Sequence, residues 1–294
     1  MPELPEVEII RKGLLTKVKG KKIKNIKVRY AKSFVCDKRN IINVKINDIK
    51  RKAKVLQIIF SNKYSLLIHL KMTGQLIYQK SNIPSRILGA SKDQKYTGGH
   101  YQRAYDQPLP HKHTHVIYTF NDGSKLYFND LRKFGWNRVV KTSNAEKILG
   151  PENFGAEPFT PEFTEKYLKK ICSKSKKSIK DVLIDQRKIS GIGNIYSSEI
   201  LFYAKINPFK SANSLTDNEI SRLKKATEKA LKLGIEHGGS SDSTFVNVEG
   251  KKGKYLNIVK VYGRKGQKCK GCKGKVITKK SGGRTTYWCP MCQK

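Results

Sequence analysis

The chain has 294 residues, of which 37% are hydrophobic and 9% aromatic, and its 61 Lys+Arg against 23 Asp+Glu give a net charge of +38. That length suits two or three modest domains. No run approaches the ~18 apolar residues of a membrane span, and no apolar leader follows Met1, so an intracellular, cytoplasmic or nucleoid location is expected. The positive excess points to a polyanionic partner, with nucleic acid ahead of a membrane surface, although part of the lysine count is ordinary solvated surface.

The chain opens MPELPEVEII. In PEVEIIRKGLL, Val7, Ile10 and Leu14 share one helical face. Pro5 suits the first helical turn, and Glu6 and Glu8 complement the positive helix start. Pro2 and Glu3, taken alone, read as the cap of that helix. Up to about residue 158 the chain is strand-rich. KKIKNIKVRY, YSLLIHLKMTGQLIY, HVIYTFNDGSKLYFND and WNRVVK cluster or alternate β-branched and aromatic residues, and Asn121-Asp122-Gly123-Ser124 reads as a hairpin turn. Residues 81–110, with much Gly, Pro and Ser, read as a long loop.

Residues 159–240 read as helical. TPEFTEKYLKKICSK, SIKDVLIDQ, NIYSSEILFYAK and TDNEISRLKKATEKALKLGIEHG have Ser, Thr, Asp or Asn starts and Gly or Pro stops. Gly191-Ile192-Gly193-Asn194 opens one of these helices. It could aim backbone N–H groups at a phosphate, and it reads equally as a plain tight turn. HGGSSDSTFVNVEGKKGKYLN (237–257), rich in Gly and Ser, reads as a mobile link from these helices to the cysteine-bearing segment.

Cys36 and Cys172 stand alone and read as buried or incidental thiols. Cys269, Cys272, Cys289 and Cys292 have the spacing C-x2-C-x16-C-x2-C of a four-cysteine zinc site. The segment between the pairs reads as two short strands around Ser281-Gly282-Gly283, too small to bury a core, so one structural zinc is the expected staple for residues 265–294. Disulfides are disfavoured in a reducing compartment. From Gly250 to Lys294 there are 14 Lys+Arg and no acid, a field suited to phosphate. Arg284 projects from the hairpin tip, where on spacing alone it reads as generic surface charge.

Taken together, MPELPEVE, RKAK, HLKMTGQL, HKHTHV, DLRKFG, SGIGNIYSSEILF, VYGRKGQKC and GGRTTYWCPMCQK run in order from the first residue to the last. In this the chain resembles the formamidopyrimidine-DNA glycosylases, bifunctional base-excision repair enzymes for oxidised purines. The resemblance implies an α+β multidomain fold: an N-terminal β-sandwich with a leading helix (1–158), a helix–two-turn–helix domain (159–240), a lesion-loop link (241–264) and a zinc-finger β-hairpin (265–294). It implies a monomer acting on double-stranded DNA that contains an oxidised base or an abasic site.

The resemblance also implies roles. After removal of Met1, Pro2 is the Schiff-base nucleophile. The chemistry is sound, since an α-amine near pKa ~8 is roughly a tenth neutral at pH 7, whereas a lysine near ~10.4 is far less so. Proline's amine is more basic than that, so burial or nearby charge must help, and its iminium is charged by construction. Glu3 is the proton donor to the sugar ring oxygen. Lys54 contacts phosphate and assists β-elimination, and Arg284 holds phosphates and assists δ-elimination. Met72 fills the gap left by the flipped nucleotide, Arg132 faces the orphaned base and Phe134 wedges the stack. His113 and Asn194 contact DNA. Lys71 and Leu131 depart from the family's usual glycine and proline. Two other readings compete: an endonuclease-VIII-type enzyme for oxidised pyrimidines, and a non-catalytic basic zinc-ribbon protein that binds nucleic acid.

Overall fold

A computed structural model of the chain describes residues 1–81, 107–241 and 245–294; most of the 81–110 loop therefore lies outside the described residues. The chain divides into two compact units, Met1–Ile148 with Gly238–Lys254, and Leu149–His237 with Tyr255–Lys294.

The first unit begins with α1 (Leu4–Val18). Pro5 sits in its first turn, where a missing N–H costs nothing. Leu4, Val7, Ile10, Leu14 and Val18 are all buried. At roughly 2 kcal/mol each, an upper estimate, burial holds this helix down by on the order of 10 kcal/mol. Eight strands follow: β1 (Ile23–Val28), β2 (Ile46–Lys52), β3 (Val55–Phe60), β4 (Tyr64–His69), β5 (Gly74–Gln79), β6 (Thr114–Phe120), β7 (Lys125–Asp130) and β8 (Trp136–Lys141). They form two four-stranded antiparallel sheets, β1-β6-β7-β5 and β2-β3-β4-β8. This is the expected β-sandwich, with α1 packed into its core beside Ile58, Leu66, Leu76 and Phe128. A short helix, α2 (Thr142–Ile148), ends this stretch.

Of the Gly- and Ser-rich stretch read as a mobile link, the described residues from Gly238 to Lys254 are a packed part of the first unit, and Tyr255 onward belongs to the second. Phe245 and Val248 join the sandwich core, and the Tyr78 N–H donates to the Val248 carbonyl at 2.8 Å. Two apolar side chains among the glycines are enough to seat it.

The second unit holds α3 (Glu165–Ser173), α4 (Ile179–Ile184), α5 (Asn194–Ala204), α6 (Asp217–Glu236) and the hairpin β9 (Ile277–Ser281) with β10 (Arg284–Trp288). Gly282 and Gly283 have φ of +53° and +75°, the paired left-handed conformation that a two-residue hairpin turn requires. Side chains fasten the hairpin to the helices. Buried Lys180 donates to Thr286 Oγ1 at 2.7 Å, and the Gln293 amide donates to the Ile206 carbonyl at 3.1 Å. Glu199, fully buried on α5, accepts the backbone N–H groups of Lys260, Val261 and Tyr262 at 2.7, 2.9 and 2.9 Å. No helix among the described residues is long and apolar enough to cross a membrane.

In the first unit, Glu6 does for the chain start what Glu199 does in the second. It is 1% exposed, and its carboxylate accepts the Glu3 N–H at 2.9 Å and both the N–H and hydroxyl of Ser240 at 2.7 and 2.9 Å. Glu6→Ala leaves these buried donors unsatisfied and is expected to cost about 3 kcal/mol, from unmet donors and the space left behind. A urea midpoint equal to that of wild type would contradict this assignment.

Candidate functional site

The helix start positions two of the expected site residues. Met1 is 45% exposed, whereas Pro2 and Glu3 behind it are buried. Glu3 is the N-cap of α1, and the Glu6 carboxylate fixes its backbone. The sequence reading of Glu3 as a helix cap therefore matches its place at the head of α1.

Lys54 lies in the tight turn between β2 and β3, directly after Ala53, whose φ is +53°. It is 5% exposed, unusual for a lysine at a hairpin tip. A chain of polar contacts ties this turn to α1. The Arg51 guanidinium donates to the Ala53 carbonyl at 3.0 Å and to Glu8 at 3.0 Å, and Arg11 donates to the same carboxylate at 2.7 Å. Burial works to raise the Glu8 pKa, but the hydrogen bonds from Arg11 and Arg51 outweigh it and hold the carboxyl below its ordinary value. Glu8 thus couples the helix that carries Pro2 to the turn that carries Lys54.

Strand register places His69 opposite Val55, next to Lys54. Its ring packs against Trp136 with centroids 5.7 Å apart, and its Nδ1 accepts the Lys71 N–H at 2.9 Å, which leaves the proton on Nε2. Burial, with the Lys71 and Lys54 cations acting the same way, drives its pKa down to about 3. His69 is therefore a neutral donor beside two lysines. It was within reach of sequence reading, because it opens the HLKMTGQL stretch singled out for Met72.

Met72, Arg132 and Phe134 come together on two adjoining loops. Gly74 pairs with Asp130 where β5 meets β7, so the residues just before Gly74 face those just after Asp130. Met72 and Phe134 are 41% and 55% exposed, large apolar side chains held out of the core. The Arg132 guanidinium lies 4.9 Å from the centre of the Phe134 ring. His113 is half-buried on the approach to β6, with its ring 5.9 Å from that of His111. Burial lowers the pKa of both, that of His111 to about 4.

The remaining residues belong to the second unit. Asn194 begins α5. Its amide donates to the Thr285 carbonyl at 3.1 Å, while its buried Oδ1 has no hydrogen-bond partner. The Gly191-Ile192-Gly193 stretch leads directly into this helix start, with Gly193 as its N-cap. Arg284 is exposed at the start of β10, next to the glycine turn. The four cysteine sulfurs lie within 4.8 Å of one another. Cys269 and Cys292 are 3.8 Å apart, and Cys272 and Cys289 3.5 Å. Four sulfurs at ~2.3 Å around one tetrahedral ion stand about 3.8 Å apart, so the set could hold a metal ion. The N–H groups of Gly271 and Gly274 donate to the Cys269 and Cys272 sulfurs, both at 3.3 Å, which favours the thiolates that a metal needs.

Comparison with known proteins agrees along the whole chain. The family model of the formamidopyrimidine-DNA glycosylase N-terminal domain matches residues 1–137, and that of the formamidopyrimidine-DNA glycosylase H2TH domain matches 154–246. Similar relatives include the formamidopyrimidine-DNA glycosylase of Pelotomaculum thermopropionicum, 37% identical over 299 residues with 100% of this chain and 99% of that one covered. That of Rickettsia africae is 39% identical over 298 residues, again covering 100% and 99%. Among solved structures, a Lactococcus lactis FPG mutant in complex with a Fapy-dG containing DNA is similar at 31% identity, with a TM-score of 0.86 and all of both chains covered.

The depressed histidines set a pH dependence. An unfolded chain protonates His69 near ~6.5, whereas the folded chain resists protonation down to about 3. The unfolded state thus binds more protons in that window, and the stability from this group is full above ~6.5 and lost as pH falls. His69→Gln should show a smaller drop in Tm than wild type between pH 7.5 and 5.0. An identical drop in the two proteins counts against a buried neutral ring.

Proposed function

The chain belongs to the formamidopyrimidine-DNA glycosylase family, and from that premise we propose how its own residues carry out the reaction. The enzyme is a base-excision repair DNA glycosylase for oxidised purines with AP lyase activity, and it acts on DNA that contains an oxidised base or an abasic site. The observation that carries the residue assignments is the buried Pro2–Glu3 pair, held by Glu6 at the head of a chain similar end to end to that family.

With Met1 removed, Pro2 presents a secondary amine. Its nitrogen attacks C1′ of the damaged nucleotide as the bond to the base breaks, and Glu3 protonates the ring oxygen. The product is an iminium that links Pro2 to the opened sugar. Its positive charge withdraws electrons from C1′, so a proton leaves C2′ and the 3′ phosphate departs by β-elimination. Lys54 faces that phosphate. Arg284 serves the second, δ-elimination of the 5′ phosphate. Met72, Arg132 and Phe134 occupy the space left by the extruded nucleotide, which offsets part of the few kcal/mol that extrusion costs. His113 and Asn194 grip the backbone. Cys269, Cys272, Cys289 and Cys292 hold one zinc ion, whose chemistry is to fix the hairpin that bears Arg284.

Three measurements test this. Borohydride should trap the chain on 8-oxoguanine:C duplex once Met1 is confirmed removed, and Pro2→Gly should lose most of the trapped complex. Incision of 8-oxoguanine:C should exceed that of thymine glycol:A. No covalent complex from the processed wild type sinks the lyase assignment, and the reverse lesion order sinks the purine assignment. Elemental analysis should return about one zinc per chain, with Cys289→Ser losing both metal and DNA affinity. A metal-free chain with full DNA affinity rules the zinc staple out.

A further inference from the structure

The two loops that present Met72, Arg132 and Phe134 are individually strained. Lys71 and Lys133 have φ of +51° and +60°, a region that side chains other than glycine occupy only when their surroundings over-determine it. Apolar packing does not hold the tips, because Met72 and Phe134 are themselves exposed. A single carboxylate gathers both loops from below. Asp130 ends β7 and is fully buried. Its Oδ1 accepts the Thr73 hydroxyl and the Arg132 N–H, the latter at 3.2 Å. Its Oδ2 accepts the Gly135 N–H at 2.7 Å. Thr73 Oγ1 also accepts the Arg132 N–H at 3.0 Å, so that one N–H is shared between the loops.

The surroundings also fix the Asp130 backbone. The Asp130 N–H donates to the His113 carbonyl at 2.9 Å, and its carbonyl lies 2.6 Å from His115 Nε2. Gly135 must approach closely. A Cβ there would stand 2.7 Å from the Phe128 ring and 3.1 Å from Asp130 Oδ2. A hydroxyl, two N–H groups and one carboxylate therefore fix the spacing between the loop of Met72 and the loop of Arg132 and Phe134.

We propose that Asp130 is a positioning residue for nucleotide extrusion, with Thr73 as its bridge, and that it sets the distance between the gap-filling side chains before DNA arrives. The proposal rests on the reading of Met72, Arg132 and Phe134 given above. Side chains that fill a gap in a base stack offset its cost only if they enter together, and loops free to move would have to be ordered at the moment of binding. Asp130 removes that ordering step without touching DNA.

Thr73→Val deletes the bridging hydroxyl at nearly constant volume, Thr73→Ser keeps it, and Asp130→Asn turns one acceptor oxygen into a donor facing another donor. Excision of 8-oxoguanine from duplex DNA should fall about tenfold or more in Thr73→Val and Asp130→Asn. The fluorescence rise of a 2-aminopurine beside the lesion, which reports unstacking, should shrink in both. Cleavage of a preformed abasic site in a single strand, where nothing needs extruding, should stay within about threefold of wild type, and Thr73→Ser should restore duplex excision. Where a melting curve shows Asp130→Asn to be unfolded, Thr73→Val decides alone. Wild-type duplex excision by folded Thr73→Val overturns the proposal, as does a loss of single-strand cleavage in step with excision. Met72→Ala and Phe134→Ala separate the two levels. If they excise normally, the gap-filling reading itself fails; if they are slow while Thr73→Val is not, only the role of Asp130 fails.

Discussion

A carboxyl group buried away from water must have its oxygens' hydrogen bonds met by the protein, and this requirement organises both units. Glu6, Asp130 and Glu199 are at most 1% exposed in a chain that carries +38. Each accepts backbone N–H groups: from Glu3 and Ser240, from Arg132 and Gly135, and from Lys260, Val261 and Tyr262. A buried acceptor left unmet costs about 1–3 kcal/mol, and these hydrogen bonds remove that cost two or three at a time. The geometry that meets the cost also pins the backbone. Glu6 pins the chain start, Asp130 the loops of Met72 and Phe134, and Glu199 the segment leading into the four-cysteine hairpin.

Meeting this demand with backbone N–H groups has a consequence for charge. A lysine or arginine used to neutralise an interior acid is withdrawn from phosphate, whereas a backbone N–H is not. The acids that do pair with arginine, such as Glu8 with Arg11 and Arg51, use that pairing to brace the Lys54 turn. The histidines follow the opposite rule. His69, His111, His113 and His115 are all held below their ordinary pKa, chiefly by burial. Burial thus biases these rings toward the neutral form, in which one ring nitrogen can accept a hydrogen bond.

Local features were the legible ones. The face of α1 followed from Val7, Ile10 and Leu14, and the glycine turn and C-x2-C pairs gave the hairpin and its cysteine cluster, because each lies within a few residues of its partners. Strand β2 was hidden by its polar sequence, INDIKRK, which shows only two fully buried positions. The return of Phe245 and Val248 to the sandwich core could not be read, since their partners lie more than a hundred residues away. Asp130 and Thr73 are 57 residues apart and meet only through the β5–β7 register. Sequence motifs marked what the loops present, and the fold supplies what holds them. Resemblance gave roles to Met72, Arg132 and Phe134, whereas Asp130 and Thr73 stood in the same DLRKFG and HLKMTGQL stretches without one.

The lysine at position 71, where the resemblance leads one to expect glycine, shows the same logic. Glycine would take a left-handed φ there freely, whereas lysine pays about 1–2 kcal/mol for the +51° it adopts. That cost has a visible counterweight. The Lys71 N–H donates to His69 Nδ1 at 2.9 Å, a bond of about 1 kcal/mol to an acceptor that is dependable only while the ring is unprotonated. The Lys71 cation, with Lys54, helps keep it so. The strained backbone and the neutral imidazole thus support each other, and the substitution is sustained by its neighbour rather than merely tolerated beside Met72.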